Sequence, residues 1–243
     1  MPDFPPDLIV ALRRAARIVV LTGSGVSAES GVPTFREAQT GLWARFDPQE
    51  LATPEAFERD PGLVWDWYEW RRKLVMEASP NPGHLAIAEL EHLVPEFSLI
   101  TQNVDGLHQR AGSRRVIELH GNILRSKCSA EGITVEDYEE AEKPPCCQSC
   151  GAPLRPDVVW FGEMLPFEAI EAASEAARGS DLFLSVGTSS LVYPAAALPY
   201  EALENGATLV EINPEETPLT PHAGYSVRAL AGEALPELVS VFS

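Results

Sequence analysis

Six short runs of mostly apolar residues punctuate the chain at positions 18–21 (IVVL), 97–100 (FSLI), 116–119 (VIEL), 158–161 (VVWF), 182–186 (LFLSV) and 208–212 (TLVEI). Among them, residues 84–93, 166–177 and 195–204 place apolar side chains every three or four positions, the spacing of amphipathic helices. Strands alternating with helices predict an α/β fold on a parallel sheet, and the evenly apolar RIVVL and DLFLSV predict helices on both of its faces. Residues 8–21 are interrupted by Arg13, Arg14 and Arg17. They therefore read as a short helix leading into the first strand, not as a secretory signal. No run of about 18 uncharged apolar residues occurs, so no transmembrane helix is expected.

Two stretches break the rhythm. Residues 40–80 hold Trp43, Trp65, Trp67 and Trp70 with little strand character, and residues 123–156 hold all four cysteines and several prolines. They read as two insertions that build a smaller domain, a helical module (40–80) and a Cys module (123–156), beside a sheet domain of residues 1–39, 81–122 and 157–243. The acidic stretch 136–142 reads as a solvated loop face.

Composition narrows the function. In 243 residues, 45% hydrophobic and 8% aromatic content supports a packed core and argues against wholesale disorder. With 18 Lys+Arg against 36 Asp+Glu the net charge is −18. That field repels phosphate backbones and anionic lipid, so neither nucleic acid nor membrane is an expected partner, while basic peptides are attracted. The expected compartment is the cytoplasm. In that reducing setting the clustering of Cys146, Cys147 and Cys150, with Cys128 upstream, favours a metal over disulfides.

The first strand runs into Gly23-Ser24-Gly25-Val26-Ser27-Ala28, a GxGxxG/A turn in the strand-then-turn context that dinucleotide binding requires. Gly23 permits the tight turn, Gly25 a close approach to pyrophosphate, and Ala28 close packing of the following helix. An ordinary glycine-rich turn has the same pattern. A dehydrogenase of this type also needs an acidic residue about 20 positions on, at the end of a second strand. Asp47 falls near that distance with no strand before it. Hydride transfer is thus disfavoured, and residues 29–36 form instead a segment suited to covering a cofactor.

Taken together, GSGVSAESGVPTFR, TQNVDGLH (101–108), ELHGN (118–122), LRPDVVWFGE (154–163), SVGTSSLVYPAA (185–196) and VEINPEE (210–216) resemble, in order, the signatures of the sirtuins, NAD-dependent protein-lysine deacylases. The resemblance spans nearly the whole chain. It implies a Rossmann-type sheet domain that holds NAD, a small domain built from two insertions, helical and zinc-ribbon-like, and acyl-lysine peptide bound in the cleft between them. It implies that Gly23, Ser24 and Gly25 form the phosphate turn, with Ala28, Phe35 and Arg36 near the nicotinamide half of NAD. Gln102, Asn103, Val104 and Asp105 would surround the nicotinamide pocket and its ribose. Gly187, Thr188, Ser189, Asn213, Pro214 and Glu215 would surround the phosphates and adenine ribose.

In the implied reaction the acyl oxygen attacks C1′ of the nicotinamide ribose, nicotinamide leaves, and an alkylamidate forms. His120 is the implied catalytic base, since an imidazole of ordinary pKa about 6.5 accepts a proton near neutrality, and Asn103 is the other implied catalytic residue. It takes a ribose hydroxyl proton, and the products are free lysine and O-acyl-ADP-ribose. Val159, Trp160, Phe161 and Gly162 would pair with the extended peptide as an added strand. On the helix expected around residues 65–72, Tyr68 and Arg71 share a face, and a phenol with a guanidinium fork suits a carboxylate. Core packing of the same aromatics is the competing reading. The YxxR pair resembles the class III branch, which removes succinyl, malonyl and glutaryl groups. Desuccinylation and demalonylation with weaker deacetylation are therefore expected. ADP-ribosyl transfer to protein on the same fold, and a non-catalytic NAD sensor, are the alternatives.

Structural zinc sites take four Cys or His ligands, commonly from two CxxC pairs. Cys147 and Cys150 form one pair, but the partner position after Cys128 is Glu131. The expected set is Cys128, Cys147, Cys150 and Cys146, with Glu131 as an alternative oxygen ligand and absence of metal as a third outcome. Oligomeric state is not legible here.

Overall fold

The computed structural model describes residues 4–33, 47–139 and 142–242. A first helix, α1 (Pro6–Arg14), leads into β1 (Arg17–Thr22) and a one-turn α2 (Ser24–Ala28). Three helices follow, α3 (Pro48–Leu51), α4 (Pro54–Arg59) and α5 (Pro61–Glu77), and then α6 (Pro82–Leu93), β2 (Glu96–Thr101), α7 (Leu107–Ala111) and β3 (Val116–Glu118). A second interruption supplies β4 (Gly121–Cys128), β5 (Thr134–Val135) and β6 (Leu154–Val158). The chain closes with α8 (Phe167–Gly179), β7 (Leu182–Val186), α9 (Leu198–Glu204), β8 (Thr208–Ile212), β9 (Tyr225–Val227) and α10 (Ala231–Ser240).

The main sheet is wholly parallel, in the order β3-β2-β1-β7-β8-β9. Strand pleating sends successive side chains to opposite faces. Val20, Leu99, Leu184 and Val210 pack on one side with Leu8, Leu12, Ile87, Leu90 and Leu238. Val19, Leu21, Phe183 and Leu209 pack on the other with Ala173, Ala177 and Leu198. Both faces being covered explains why these strands read as unbroken apolar runs. No helix among the described residues is long and apolar enough to cross a membrane.

The helices α3, α4 and α5 of the first insertion, and α6 after it, start where a cap residue precedes proline. Asp47, Thr53, Asp60 and Asn81 each accept a backbone N–H of the following turn, and Pro48, Pro54, Pro61 and Pro82 take the first helical position, where no N–H is needed. One face of α5 sends Val64, Trp67 and Tyr68 into a cluster with Phe57, Leu107, Ile123, Val158 and Trp160. Trp65 leaves another face to pack on Cys128, Cys147 and Leu154.

One expected strand is displaced. The apolar run 158–161 is not a strand of the main sheet. The strand there is the more polar Leu154–Val158, antiparallel to β4 at the edge of a separate sheet ordered β5-β4-β6. An edge position tolerates Pro156. After Val158 the chain turns, with Glu163 N–H donating to the Trp160 carbonyl at 3.0 Å and Gly162 at φ +87°. The apolar character of Val158 and Trp160 serves packing against α4 and α5.

Candidate active site

Strand order reverses between β1 and β7, and in open parallel sheets ligands bind outside the carboxyl ends of the strands at such a switch point. Gly23, Gln102, Gly187 and Asn213 are each the residue directly after a strand, of β1, β2, β7 and β8 respectively. Gly25 N–H donates to the Gly187 carbonyl at 2.9 Å. A Cβ on Gly23 would lie 2.8 Å from the Gly187 oxygen, one on Gly25 2.7 Å from it, and one on Gly187, at φ +58°, 2.6 Å from Val26 N. The glycines are thus required first by contact between two backbone turns. That contact leaves backbone at the switch point, as a pyrophosphate cradle demands, so the residues fit NAD. The helix after the turn, α2, is only five residues long and ends at Ala28.

Thr188 gathers three strands. Gln102 Nε2 donates to its hydroxyl at 3.0 Å and Asn213 Nδ2 to its carbonyl at 2.8 Å. Ser24 is exposed on the first turn and Ser189 half-buried beside Thr188. Asn213 Oδ1 accepts the Glu215 N–H, with Pro214 and Glu215 exposed at the rim. Phe35 and Arg36, like Trp43, lie outside the described residues.

A buried polar network under the glycine turn was not read from the sequence. Asn103 Nδ2 donates to the Gly23 carbonyl and to Ser27 Oγ, each at 3.0 Å, and Asn103 N–H donates to Thr101 Oγ1 at 3.1 Å. Thr22 Oγ1 lies 2.9 Å from both Thr101 Oγ1 and His108 Nε2, and His84 Nε2 lies 3.4 Å from Ser27 Oγ. The two imidazole rings are 4.8 Å apart. Burial pushes His84 down to about 4, and burial with His84 as neighbour pushes His108 down to about 3, so both are neutral at pH 7. Asn81, which caps α6 in a capping box with His84, also donates to the Val26 carbonyl at 2.7 Å. That N-P-x-H box is the signal that marked this network. Asp105 is buried, caps the Leu107 N–H at 2.9 Å and has its pKa raised by desolvation. The Val104 carbonyl accepts the Ile123 N–H at 2.8 Å.

His120 follows β3 by two residues. Its Nδ1 lies 2.9 Å from the Gln102 carbonyl oxygen. A carbonyl only accepts, so Nδ1 carries the proton and Nε2 is the basic nitrogen of the neutral ring. Burial lowers the His120 pKa, and the bond to Gln102 opposes that shift. The neutral form that a general base requires is therefore favoured.

Tyr68 and Arg71 sit one turn apart on α5, with Tyr68 against Trp160. Trp160 Nε1 donates to the Tyr68 hydroxyl at 3.0 Å, so the phenol proton must point elsewhere. The Arg71 guanidinium lies 5.0 Å from the Trp67 ring centroid and 5.7 Å from that of Tyr68. Desolvation lowers its pKa, with Tyr68 and Asp105 opposing. Arg155 stacks 3.3 Å from the Trp160 ring centroid and pairs with Glu163. Around the expected peptide segment, Val159 N–H donates to the His120 carbonyl and Phe161 N–H to that of Ala52, both at 2.9 Å, while Trp160 N–H goes to Glu163. These three donors are committed within the protein, so peptide pairing there would have to use other backbone groups.

In the Cys module, one ligand atom from each of Cys128, Glu131, Cys147 and Cys150 lies within 4.8 Å of the others. Cys146 is outside this group. It is exposed, its thiol donates to Glu142 at 3.7 Å, and its backbone bridges Pro153. Adjacent residues of extended chain point to opposite sides, so Cys147 turning in sends Cys146 out. Of the two residues weighed for the fourth position, the fold brings Glu131 and not Cys146 up to Cys128, Cys147 and Cys150. Three sulfurs and an oxygen on two knuckles fit a tetrahedral structural zinc, to which Cys128, Glu131, Cys147 and Cys150 would be the ligands.

A parallel sheet with a glycine cradle at its switch point and a base held by the neighbouring strand defines a dinucleotide-using α/β enzyme. Residues 23–194 match the model of the Sir2 family. NAD-dependent protein deacylase 2 of Pyrobaculum aerophilum is 57% identical over 96% of this chain and 92% of its own length. A crystal structure of a Sir2 homologue in complex with NAD is 48% identical with a TM-score of 0.92, covering 99% of this chain and 94% of that one. A Sir2-homologue variant in complex with 2′-O-acetyl ADP ribose is 49% identical with a TM-score of 0.90, covering 98% and 96%. The chain belongs to the Sir2 family.

Proposed function

We propose that this chain removes succinyl and malonyl groups, and more weakly acetyl groups, from protein lysines, consuming NAD and one water and giving nicotinamide, O-acyl-ADP-ribose and free lysine. Deacylation itself rests on family membership, on relatives that carry the deacylase name and on the NAD and acetyl-ADP-ribose complexes of Sir2 homologues. NAD supplies the anomeric carbon whose bond to nicotinamide is cleaved. The rest falls to side chains of this protein. The paired turns at Gly23–Gly25 and Gly187 hold the dinucleotide, and Asn103 and Asp105 shape the pocket behind the turn. His120 Nε2 takes the ribose hydroxyl proton. The cycle runs in the cytoplasm, where the cysteines stay reduced.

The acyl preference is carried by one observation. Tyr68 and Arg71 share a turn of α5, the guanidinium lies against the Tyr68 ring, and the Tyr68 oxygen already accepts the Trp160 indole N–H. The phenol is left as a donor beside a guanidinium, the complement of a carboxylate at the far end of an acyl chain. The test compares kcat/KM for succinyl-lysine and acetyl-lysine peptides in the parent chain and in Arg71→Met. Losing a charge-assisted hydrogen bond costs about 1.5–3 kcal/mol, so the succinyl value is expected to fall about 10- to 100-fold with the acetyl value little changed. An unchanged ratio rejects the proposal, and label from NAD accumulating on protein would favour ADP-ribosyl transfer.

A further inference from the structure

The Cys module is one turn built twice, and the two copies differ at a single ligand position. In the first, Gly132 N–H donates to the Cys128 carbonyl at 2.9 Å and Cys128 N–H to the Ile133 carbonyl at 2.9 Å. In the second, Gly151 N–H donates to the Cys147 carbonyl and Cys147 N–H to the Ala152 carbonyl, both at 2.8 Å. The glycines stand four residues after the first cysteine of each copy, at φ +70° and +75°, where a side chain is strained. The matched offset places Glu131 where the second copy has Cys150. Glu131 N–H also donates to Cys128 Sγ at 3.4 Å, and Cys128 and Cys150 sulfurs are 3.4 Å apart.

We propose that Glu131 is the fourth ligand of a structural zinc site made of three thiolates and one carboxylate oxygen, with Cys146 outside it. Zinc–sulfur bonds of about 2.3 Å and zinc–oxygen bonds of about 2.0 Å put tetrahedral ligand atoms about 3.5–3.8 Å apart. The present spread of up to 4.8 Å closes to that with small side-chain movements. Cys128 and Cys147 are buried, while Glu131 and Cys150 face solvent, so the oxygen ligand lies on the open side of the metal. A hard oxygen there binds zinc less selectively than a fourth thiolate does. The site is therefore more exchangeable than a four-sulfur one.

The experiment uses the full chain loaded with zinc, read by metal analysis, zinc-edge X-ray absorption and chelator competition. One zinc per chain is expected, with three sulfurs at about 2.3 Å and one oxygen at about 2.0 Å. Glu131→Ala is expected to weaken zinc at least about 10-fold, since even outer-shell partners are worth that much. Glu131→Cys is expected to give four sulfurs and slower loss to chelator, and Cys146→Ser to change neither stoichiometry nor shell. Should Glu131→Ala fail to fold, Glu131→Gln and the absorption spectrum of the parent chain decide the matter. A four-sulfur shell in the parent, zinc loss in Cys146→Ser, unchanged affinity in Glu131→Ala, or no stoichiometric zinc in the parent would each overturn the assignment.

Discussion

At His120 one hydrogen bond sets the chemistry. The Gln102 carbonyl takes the Nδ1 proton, which assigns basicity to Nε2, and burial lowers the pKa. A base with a lowered pKa stays unprotonated further into acid, so the acid limb of kcat/KM is expected below the ordinary imidazole midpoint of about 6.5. A pH–rate profile from mildly acidic to neutral buffer checks this, and a limb at or above that midpoint contradicts it. Removing the side chain in His120→Ala is expected to cost about 10²–10⁴-fold in deacylation. NAD affinity, measured by calorimetry, should be largely unchanged, because the paired glycine turns that cradle the dinucleotide meet through backbone contacts in which this side chain takes no part. The imidazole and its motif were visible along the chain. Its tautomer was not, because the deciding acceptor comes from the end of another strand.

Among elements, the decisive contact joins two turns that sequence separates by about 160 residues. A methyl on Gly25 would meet the Gly187 oxygen at 2.7 Å, and backbone cannot swing aside as a flexible side chain would. Gly25→Ala is therefore expected to destabilise the fold by about 2–3 kcal/mol and to abolish NAD binding. Gly179→Ala serves as control, since nothing lies within 4 Å of a Cβ there and its φ is not in the left-handed region. Urea unfolding and NAD titration read both variants, and a stable Gly25→Ala that binds NAD would refute the contact's importance. The glycine pattern itself was legible, but it pointed only to the ligand side of the turn. The run 158–161 misled for a related reason, since apolar residues record burial whether or not the backbone around them pairs as a strand.

For the molecule as a whole, the net charge of −18 sets how substrates arrive. A field of this sign concentrates basic peptides and disfavours acidic ones. For an acyl-lysine peptide flanked by Lys and Arg, kcat/KM is expected to fall several-fold from about 0.05 to 0.5 M salt, as screening shortens the Debye length through about 10 Å at 0.1 M. An acidic peptide of the same length should show no fall. Equal salt dependence of the two would show that only local contacts govern substrate choice.

Local order was written along the chain. Apolar runs mark β1, β2, β3, β7 and β8, and a cap residue followed by proline marks the starts of α3, α4 and α5, because propensity, capping and burial act on neighbours in sequence. The motifs in their order carried the family. Other features arise only when distant segments meet: the glycine turns back to back, the His84–His108 pair beneath Asn103, the Tyr68 hydroxyl held by Trp160, and Cys147 rather than its neighbour facing Cys128. Contacts of that kind depend on strand order and on the side to which a pleated chain turns each residue, and a linear pattern holds neither.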